Sequence, residues 1–224
     1  MAAQGWAFDM RASHLEIYNE SLRDLLVARD GAKEGREGMG KLDVKHSSTG
    51  ETTVAGLSSH AVSSQGHVSA LLRSAQANRS TAATKANAAS SRSHAVFLLR
   101  VKCQHASGSV RAGHLVLVDL AGSERLDQSG VVGEQLKEAL NINKSLSALG
   151  NVIAALGKKQ KHVPFRDSTL TYLLQHCLGG DSKTLMLVNV SPALAHSRET
   201  LCSLRFAQKV NACELGAAKK HGEA

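Results

Sequence analysis

The residues here best suited to chemistry are Asp119-Leu120-Ala121-Gly122-Ser123-Glu124, which follow the apolar run His114-Leu115-Val116-Leu117-Val118. A carboxylate at the C-terminal end of a buried strand, followed closely by a glycine, is where nucleotide-binding α/β proteins hold Mg²⁺ and sense a γ-phosphate. Asp119 can hold a hydrated metal ion. Gly122 has no Cβ, so its own N–H can approach a phosphate oxygen. Alone, Asp-x-x-Gly after a strand is also the pattern of an ordinary turn. A second polar stretch upstream, Ser90-Ser91-Arg92-Ser93-His94, supplies hydroxyls and a guanidinium and gives the first stretch a partner.

Strands and helices must position these two stretches. Residues 95–102 and 114–120 read as strands of a long hairpin, and 10–18 as a further strand leading into a short helix over 21–27. Residues 42–62 suit short strands with turns at Gly50 and Gly56. A helix over 65–79 places Val68, Leu71, Leu72 and Ala75 on one face. The polar, Ala-rich stretch 80–90 suits a loop that a ligand can order. After a Gly-containing loop over 126–133, a long helix ends near Gly157, its apolar side supplied by Leu140, Ile142, Leu146, Leu149, Ile153 and Leu156. Residues 169–178 suit a shorter helix burying Leu170, Leu173, Leu174 and Cys177, and stopped by Gly179-Gly180. The run 184–190 reads as a fully apolar strand, 198–211 as the last helix, and 217–224 as a polar tail.

Composition narrows the partner class. The 224 residues, 42% of them apolar, suffice for a real core, and only 3% are aromatic, so Leu, Val and Ala fill it. A net charge of +8 favours a polyanionic partner: nucleic acid, an anionic membrane or an acidic protein surface. Cys103, Cys177, Cys202 and Cys213 show no CxxC spacing and are expected to be free thiols in a reducing, intracellular setting. No HExxH occurs among the histidines, so no metal cage of protein ligands alone is expected. No apolar run reaches the roughly 18 residues of a membrane span. The stretch Gly35-Arg36-Glu37-Gly38-Met39-Gly40-Lys41 fits GxxxxGK. Leu42 follows it where a Ser or Thr hydroxyl is needed, and no buried strand precedes it, so it reads as a solvated loop.

Asn87 to His94 and Asp119 to Glu124 together resemble the first and second switch regions of the kinesin motor domain. So do Leu15-Glu16-Ile17-Tyr18-Asn19-Glu20, Asn141-Ile142-Asn143-Lys144-Ser145-Leu146-Ser147-Ala148-Leu149 and His162-Val163-Pro164-Phe165-Arg166-Asp167-Ser168. The closing Leu201-Cys202-Ser203-Leu204-Arg205-Phe206-Ala207 and Val210-Asn211-Ala212-Cys213-Glu214-Leu215-Gly216 look most like the C-terminal-motor kinesins, kinesin-14, in particular the plant and algal ones. The resemblance covers residues 5–216, and 1–216 is expected to be the C-terminal part of one motor domain. It implies an α/β fold of the P-loop NTPase motor kind, a central mixed β-sheet flanked by helices.

The resemblance also implies roles. Ser91 binds Mg²⁺ and the γ-phosphate of ATP, with Ser90 and Asn87 lining the same site. Asp119 holds the metal through water, the Gly122 N–H reports the γ-phosphate, and Arg92 and Glu124 form the ion pair that latches the switches. Such a latch is worth about 1 kcal/mol at most when exposed, while removing one partner of a buried pair costs about 3–5. Lys137, Lys144, Lys158, Lys159, Lys161, His162 and Arg166 fall in the family's microtubule-binding region. From residue 125 to 171 there are seven Lys/Arg against four Asp/Glu. Charge alone is equally the mark of a solvated face. Where the family usually has Lys this chain has Thr169, a departure expected to weaken the contact modestly.

The family's P-loop lies upstream of the strand beginning near Met10, so this sequence reads as the later part of a motor, which alone is not expected to hydrolyse ATP. The strand over 184–190 would then lack both neighbours, an aggregation hazard. The intact protein is expected to be a microtubule-stimulated ATPase, usually minus-end directed in this subfamily. A homodimer through a stalk, and a place on the microtubules and spindle of the cytoplasm, are also implied, with neither membrane nor nucleic acid as partner. Two rival readings remain. One is a non-catalytic microtubule-binding module that has lost nucleotide binding. The other is a basic nucleic-acid-binding domain, against which stands the lack of interleaved aromatics or a recognisable nucleic-acid-binding motif.

Overall fold

One central strand carries the continuous apolar run Ala95-Val96-Phe97-Leu98-Leu99, and because successive side chains point to opposite faces, such a run gives the sheet two buried faces. In the computed structural model the described residues are 5–27, 41–47, 51–83, 92–123, 134–179 and 182–215, without the side chains of 81–83 and 134–139. They form β1 (Trp6–Tyr18), β2 (Ser21–Asp24), β3 (Asp43–His46), β4 (Thr52–Ala55), β5 (His60–Ala61), α1 (Gln65–Ala83), β6 (His94–His105), β7 (Val110–Asp119), α2 (Glu134–Gly157), α3 (Thr169–Leu173) and α4 (Ser197–Asn211). The main sheet has the order β2-β1-β6-β7, with β5 also on β1, while β3 and β4 pair separately. Every pairing among the described residues is antiparallel.

Leu15, Ile17, Val96, Leu98, Val116 and Val118 point to the face covered by α2 and α3, where Leu149, Val152, Leu170 and Leu173 complete the larger core. Ala12, Phe97 and Leu99 point the other way and meet Val62 and the Val68 and Leu71 side chains of α1. Leu15, Val152 and Leu170 are fully buried. Truncating any of them to Ala should cost about 2–5 kcal/mol. Helix α3 starts at Ser168, whose side chain accepts from the Thr171 N–H and caps it.

Several expectations change. Residues 21–27 do not form a helix. Asn19 and Glu20 both adopt left-handed backbone, φ 52° and 60°. This two-residue turn sends the chain back along β1, with Tyr18 opposite Ser21. Leu72 and Leu140, expected on buried helix faces, are 42% and 53% exposed. The shorter helix stops at Leu173 instead of 178, and turns carry the chain on to Leu178. Residues 184–190 form no strand, with Leu185 and Leu187 83% and 78% exposed. Strand backbone needs a neighbour to take its N–H and C=O groups, and no described strand lies beside this run. The stretch 80–90, expected as a loop, begins as helix, since α1 runs on to Ala83. Its remainder, the loop expected over 126–133 and the tail 217–224 lie outside the described residues, as do residues 35–40 of the GxxxxGK stretch.

Candidate functional site

The register of the sheet brings the two switch-like stretches to one end of the ladder. Glu16 lies opposite Ala95, and Ala95 opposite Asp119, so the three form one row across β1, β6 and β7. Residues of one row point to the same face, here the face covered by α1. Two carboxylates thus sit two strands apart, about 10 Å from strand spacing, with the small Ala95 between them.

Arg79 of α1 fills that gap. Its Nε donates to Glu16 Oε1 at 3.3 Å, and its Nη1 to Asp119 Oδ2 at 3.1 Å. Its Nη2 donates to the Ser93 carbonyl at 3.0 Å and to Ser93 Oγ at 3.1 Å. Ser93 Oγ in turn donates to Glu16 Oε1 at 2.6 Å. Arg23 approaches the other Glu16 oxygen at 3.5 Å and holds the Asn78 carbonyl at 2.8 Å, one residue before Arg79. The Arg79 and Glu16 side chains are 9% and 6% exposed, whereas that of Asp119 is 72% exposed. The Glu16–Arg79 half is therefore a buried, paired charge, costly to break from one side. The Asp119 half faces water, where solvent weakens it. One guanidinium joins the residue preceding β6 to the last residue of β7.

The opposite face carries a second link. His94 lies opposite Ile17 and points toward α2. Its Nδ1 accepts from the Ala121 N–H at 3.0 Å, and its Nε2 lies 2.7 Å from Ser145 Oγ, which donates to the Ile142 carbonyl at 2.8 Å. Burial pushes the His94 imidazole down to about 4, the Arg79 charge adds to this and Asp119 opposes it. The ring is therefore neutral at pH 7.

Of the residues singled out from sequence, Asp119 ends β7, and Gly122 follows it, partly buried. Arg92 is partly buried just before β6. Asn87, Ser90, Ser91 and Glu124 lie outside the described residues, as does the side chain of Lys137. Lys144, Lys158, Lys159, Lys161, His162 and Arg166 are exposed. Lys159, in left-handed backbone, reaches Glu214 at 3.6 Å, and the Arg166 guanidinium lies 5.9 Å from the Tyr172 ring centre. Thr169 is tied to the β1–β2 turn: its N–H donates to Glu20 Oε2 at 2.9 Å and its hydroxyl to the Glu20 carbonyl at 3.0 Å.

Sequence reading assigned no role to Glu16, Arg79, Ser93, His94 or Ser145. The available signal was Glu16, a carboxylate inside the apolar strand Leu15-Glu16-Ile17, which burial obliges to find a cation. Among the described residues, Asp119 is the one side chain singled out from sequence whose chemistry fits Mg²⁺, and one of its oxygens is held by Arg79. Asp119 offers a largely exposed, hard carboxylate oxygen at a strand end, of the kind that holds Mg²⁺ through water. Gly122 adds a nearby backbone N–H.

A family model described as the kinesin motor domain matches residues 1–213. The kinesin-like protein KIN-14M of Arabidopsis thaliana is 52% identical over 224 residues, covering 99% of this chain and 30% of the relative. The kinesin-like protein klpA of Emericella nidulans is 51% identical over 221 residues, covering 97% and 28%. The solved motor domain of the Saccharomyces cerevisiae kinesin-related protein Kar3 superposes with a TM-score of 0.76 at 46% identity, over 92% of this chain and 61% of that one. The chain thus spans less than a third of the length of these curated relatives.

Proposed function

The chain belongs to the kinesin motor-domain family, with kinesin-14 proteins among its relatives, and from that premise we propose that it is the switch-bearing, microtubule-facing part of an ATP-driven microtubule motor. The observation that carries this reading is the Arg79 clamp, which ties Ser93 at the first switch to Asp119 at the second. A group that senses nucleotide at one switch then has a direct mechanical connection to the other. In this reading Asn87, Ser90, Ser91, Asp119 and Gly122 face ATP and Mg²⁺, and Arg92 pairs with Glu124. The metal, when bound, neutralises charge building on the phosphates. The chain's own residues orient: Gly122 offers its N–H, and Arg79 holds the Asp119 carboxylate in place.

Lys137, Lys144, Lys158, Lys159, Lys161, His162 and Arg166 form the proposed face for tubulin's acidic surface. Dimerisation through a stalk and residence on cytoplasmic microtubules belong to the same proposal. Co-pelleting of this chain with microtubules, across a salt series and with duplex DNA as competitor, tests the partner. The expected result is salt-sensitive pelleting that DNA does not displace and that Lys158, Lys159 and Lys161→Ala weakens. Absence of pelleting, or displacement by DNA, refutes it. Microtubule-stimulated turnover, assayed on the protein encoded from the determined 5′ end of its transcript, tests the ATPase half.

A further inference from the structure

We propose that His94 is a positioning residue that couples the backbone of the second switch to helix α2, gripping the Ala121 N–H with one ring nitrogen and the Ser145 hydroxyl with the other. The inference rests on the proposed function, in which the neighbouring Gly122 N–H faces phosphate and α2 carries part of the microtubule face.

All three groups are buried: His94 is 3% exposed, Ala121 5% and Ser145 2%. A backbone N–H only donates, so Nδ1, 3.0 Å from Ala121 N, is the accepting nitrogen. A neutral ring then carries its proton on Nε2, which donates a hydrogen bond to Ser145 Oγ at 2.7 Å, and the hydroxyl donates in turn to the Ile142 carbonyl at 2.8 Å. Each donor in this series meets an acceptor. The other tautomer sets the Nδ1–H against the Ala121 N–H and leaves both without an acceptor inside the core.

Two features make the arrangement a coupling device as well as a satisfied core histidine. The first is leverage. Only the two soft backbone torsions of Ala121 separate its held N–H from the N–H of Gly122, so the imidazole sets the direction in which Gly122 presents its donor. The second is the identity of the parts joined. His94 is the last residue of the first switch stretch and opens β6, Ala121 lies in the second, and Ser145 lies in the middle of α2 beside Lys144. A displacement of α2 at Ser145 therefore pulls on the ring, and through it on Ala121.

Amide hydrogen exchange on the whole chain, read at Ala121 by NMR, tests this. Ser145→Ala should quicken exchange at Ala121 about tenfold, the loss of roughly one hydrogen bond, while Val116 and Val118 in β7 stay unchanged. Ser145→Thr should restore the slow rate. His94→Asn, whose amide oxygen takes the place of Nδ1, should keep Ala121 protected and make it indifferent to Ser145→Ala. The imidazole ¹⁵N shifts of the parent should show Nε2 protonated and Nδ1 bare. A labelling pulse on microtubules should change the Ala121 rate in the parent and not in Ser145→Ala. An unchanged Ala121 rate in Ser145→Ala overturns the coupling, and so does faster exchange along all of β7, which marks a merely structural role. Failure of the chain to bind microtubules overturns the function proposed above, while the free-chain comparison still decides the coupling.

Discussion

Arg79→Met is the perturbation whose consequence the structure fixes most tightly. The variant keeps much of the side-chain volume and removes every guanidinium donor. Glu16, with its side chain 6% exposed, is left with the Ser93 hydroxyl at 2.6 Å and Arg23 at a long 3.5 Å. The Ser93 carbonyl loses its bond from Nη2 as well. A buried charge stripped of its partner costs about 3–5 kcal/mol, and with Arg23 still at 3.5 Å the loss here should fall at the lower end of that range. Domain stabilities run from about 5 to 15 kcal/mol, so the loss would be a large share of the total. Asp119→Asn touches the same guanidinium from the solvent side, where the side chain is 72% exposed, and should cost about 1 kcal/mol or less. Adding Glu16→Gln to Arg79→Met removes the stranded charge and should recover most of the loss. Urea unfolding followed by circular dichroism would measure the four proteins of the Arg79/Glu16 cycle, with Asp119→Asn alongside. Equal costs for Arg79→Met and Asp119→Asn, or a double variant that loses the full sum of its two singles, would refute the account of a buried clamp.

Other perturbations have equally definite outcomes. His94 is held neutral with its ionisation lowered from 6.5 to about 4, so the unfolded chain takes up this proton first. Its stability contribution is complete above pH 6.5 and lost as pH falls toward 4. At about 1.4 kcal/mol per pH unit, this is about 3 kcal/mol. His14, His46 and His114 are lowered too and act in the same direction; the urea midpoint should fall between pH 7 and 5, and His94→Gln should visibly flatten that fall. Thr169→Val removes the hydroxyl bond to the Glu20 carbonyl and keeps the N–H bond to the carboxylate. It should cost about 1 kcal/mol in the same unfolding assay, with Thr169→Ser close to the parent. Leu185 and Leu187 are almost fully exposed, so changing both to Lys should leave the unfolding midpoint within about 0.5 kcal/mol of the parent and lower light scattering at high concentration. Unchanged scattering would clear that run as an adhesive patch.

Local pattern in the sequence carried β6 and β7 through their continuous apolar runs, in β6 the mark of burial on both faces, and most of the helix faces through their 3.6-residue period, Leu72 and Leu140 excepted. Val68, Leu71 and Ala75 are legible as the inward stripe of α1 for that reason. Arg79 continues the same stripe one turn later, and a charge there reads as solvent-facing until Glu16 and Asp119 are seen in one row. Residues 21–27 read as a helix because nothing local announces that Asn19 and Glu20 adopt left-handed backbone. The bonds from Thr169 that hold that turn come from 149 residues further along the chain. The run 184–190 has strand composition, yet composition cannot supply the neighbour that a strand requires. Asp119 and Gly122 stand out as chemistry because a polar group at the end of an apolar run is visible locally. The His94–Ser145 link is silent for the opposite reason, since neither residue type is unusual where it stands.

The pairing of β1 with β6 also bears on how the chain is made. Its partners, from Ile17↔His94 to Trp6↔His105, lie roughly 80 to 100 residues apart, and closing so long a loop delays their meeting. The β6–β7 hairpin turns within a few residues and can form on its own. Because a ribosome adds about 5–20 residues per second, β1 emerges early and then waits on the order of 5–20 s for its partner. During that interval Leu15 and Ile17 lie uncovered beside a Glu16 that has yet to meet Arg79. Shielding of the nascent chain over that window, by a chaperone or by a faster rate of synthesis, should therefore raise the yield of folded protein without changing its final stability.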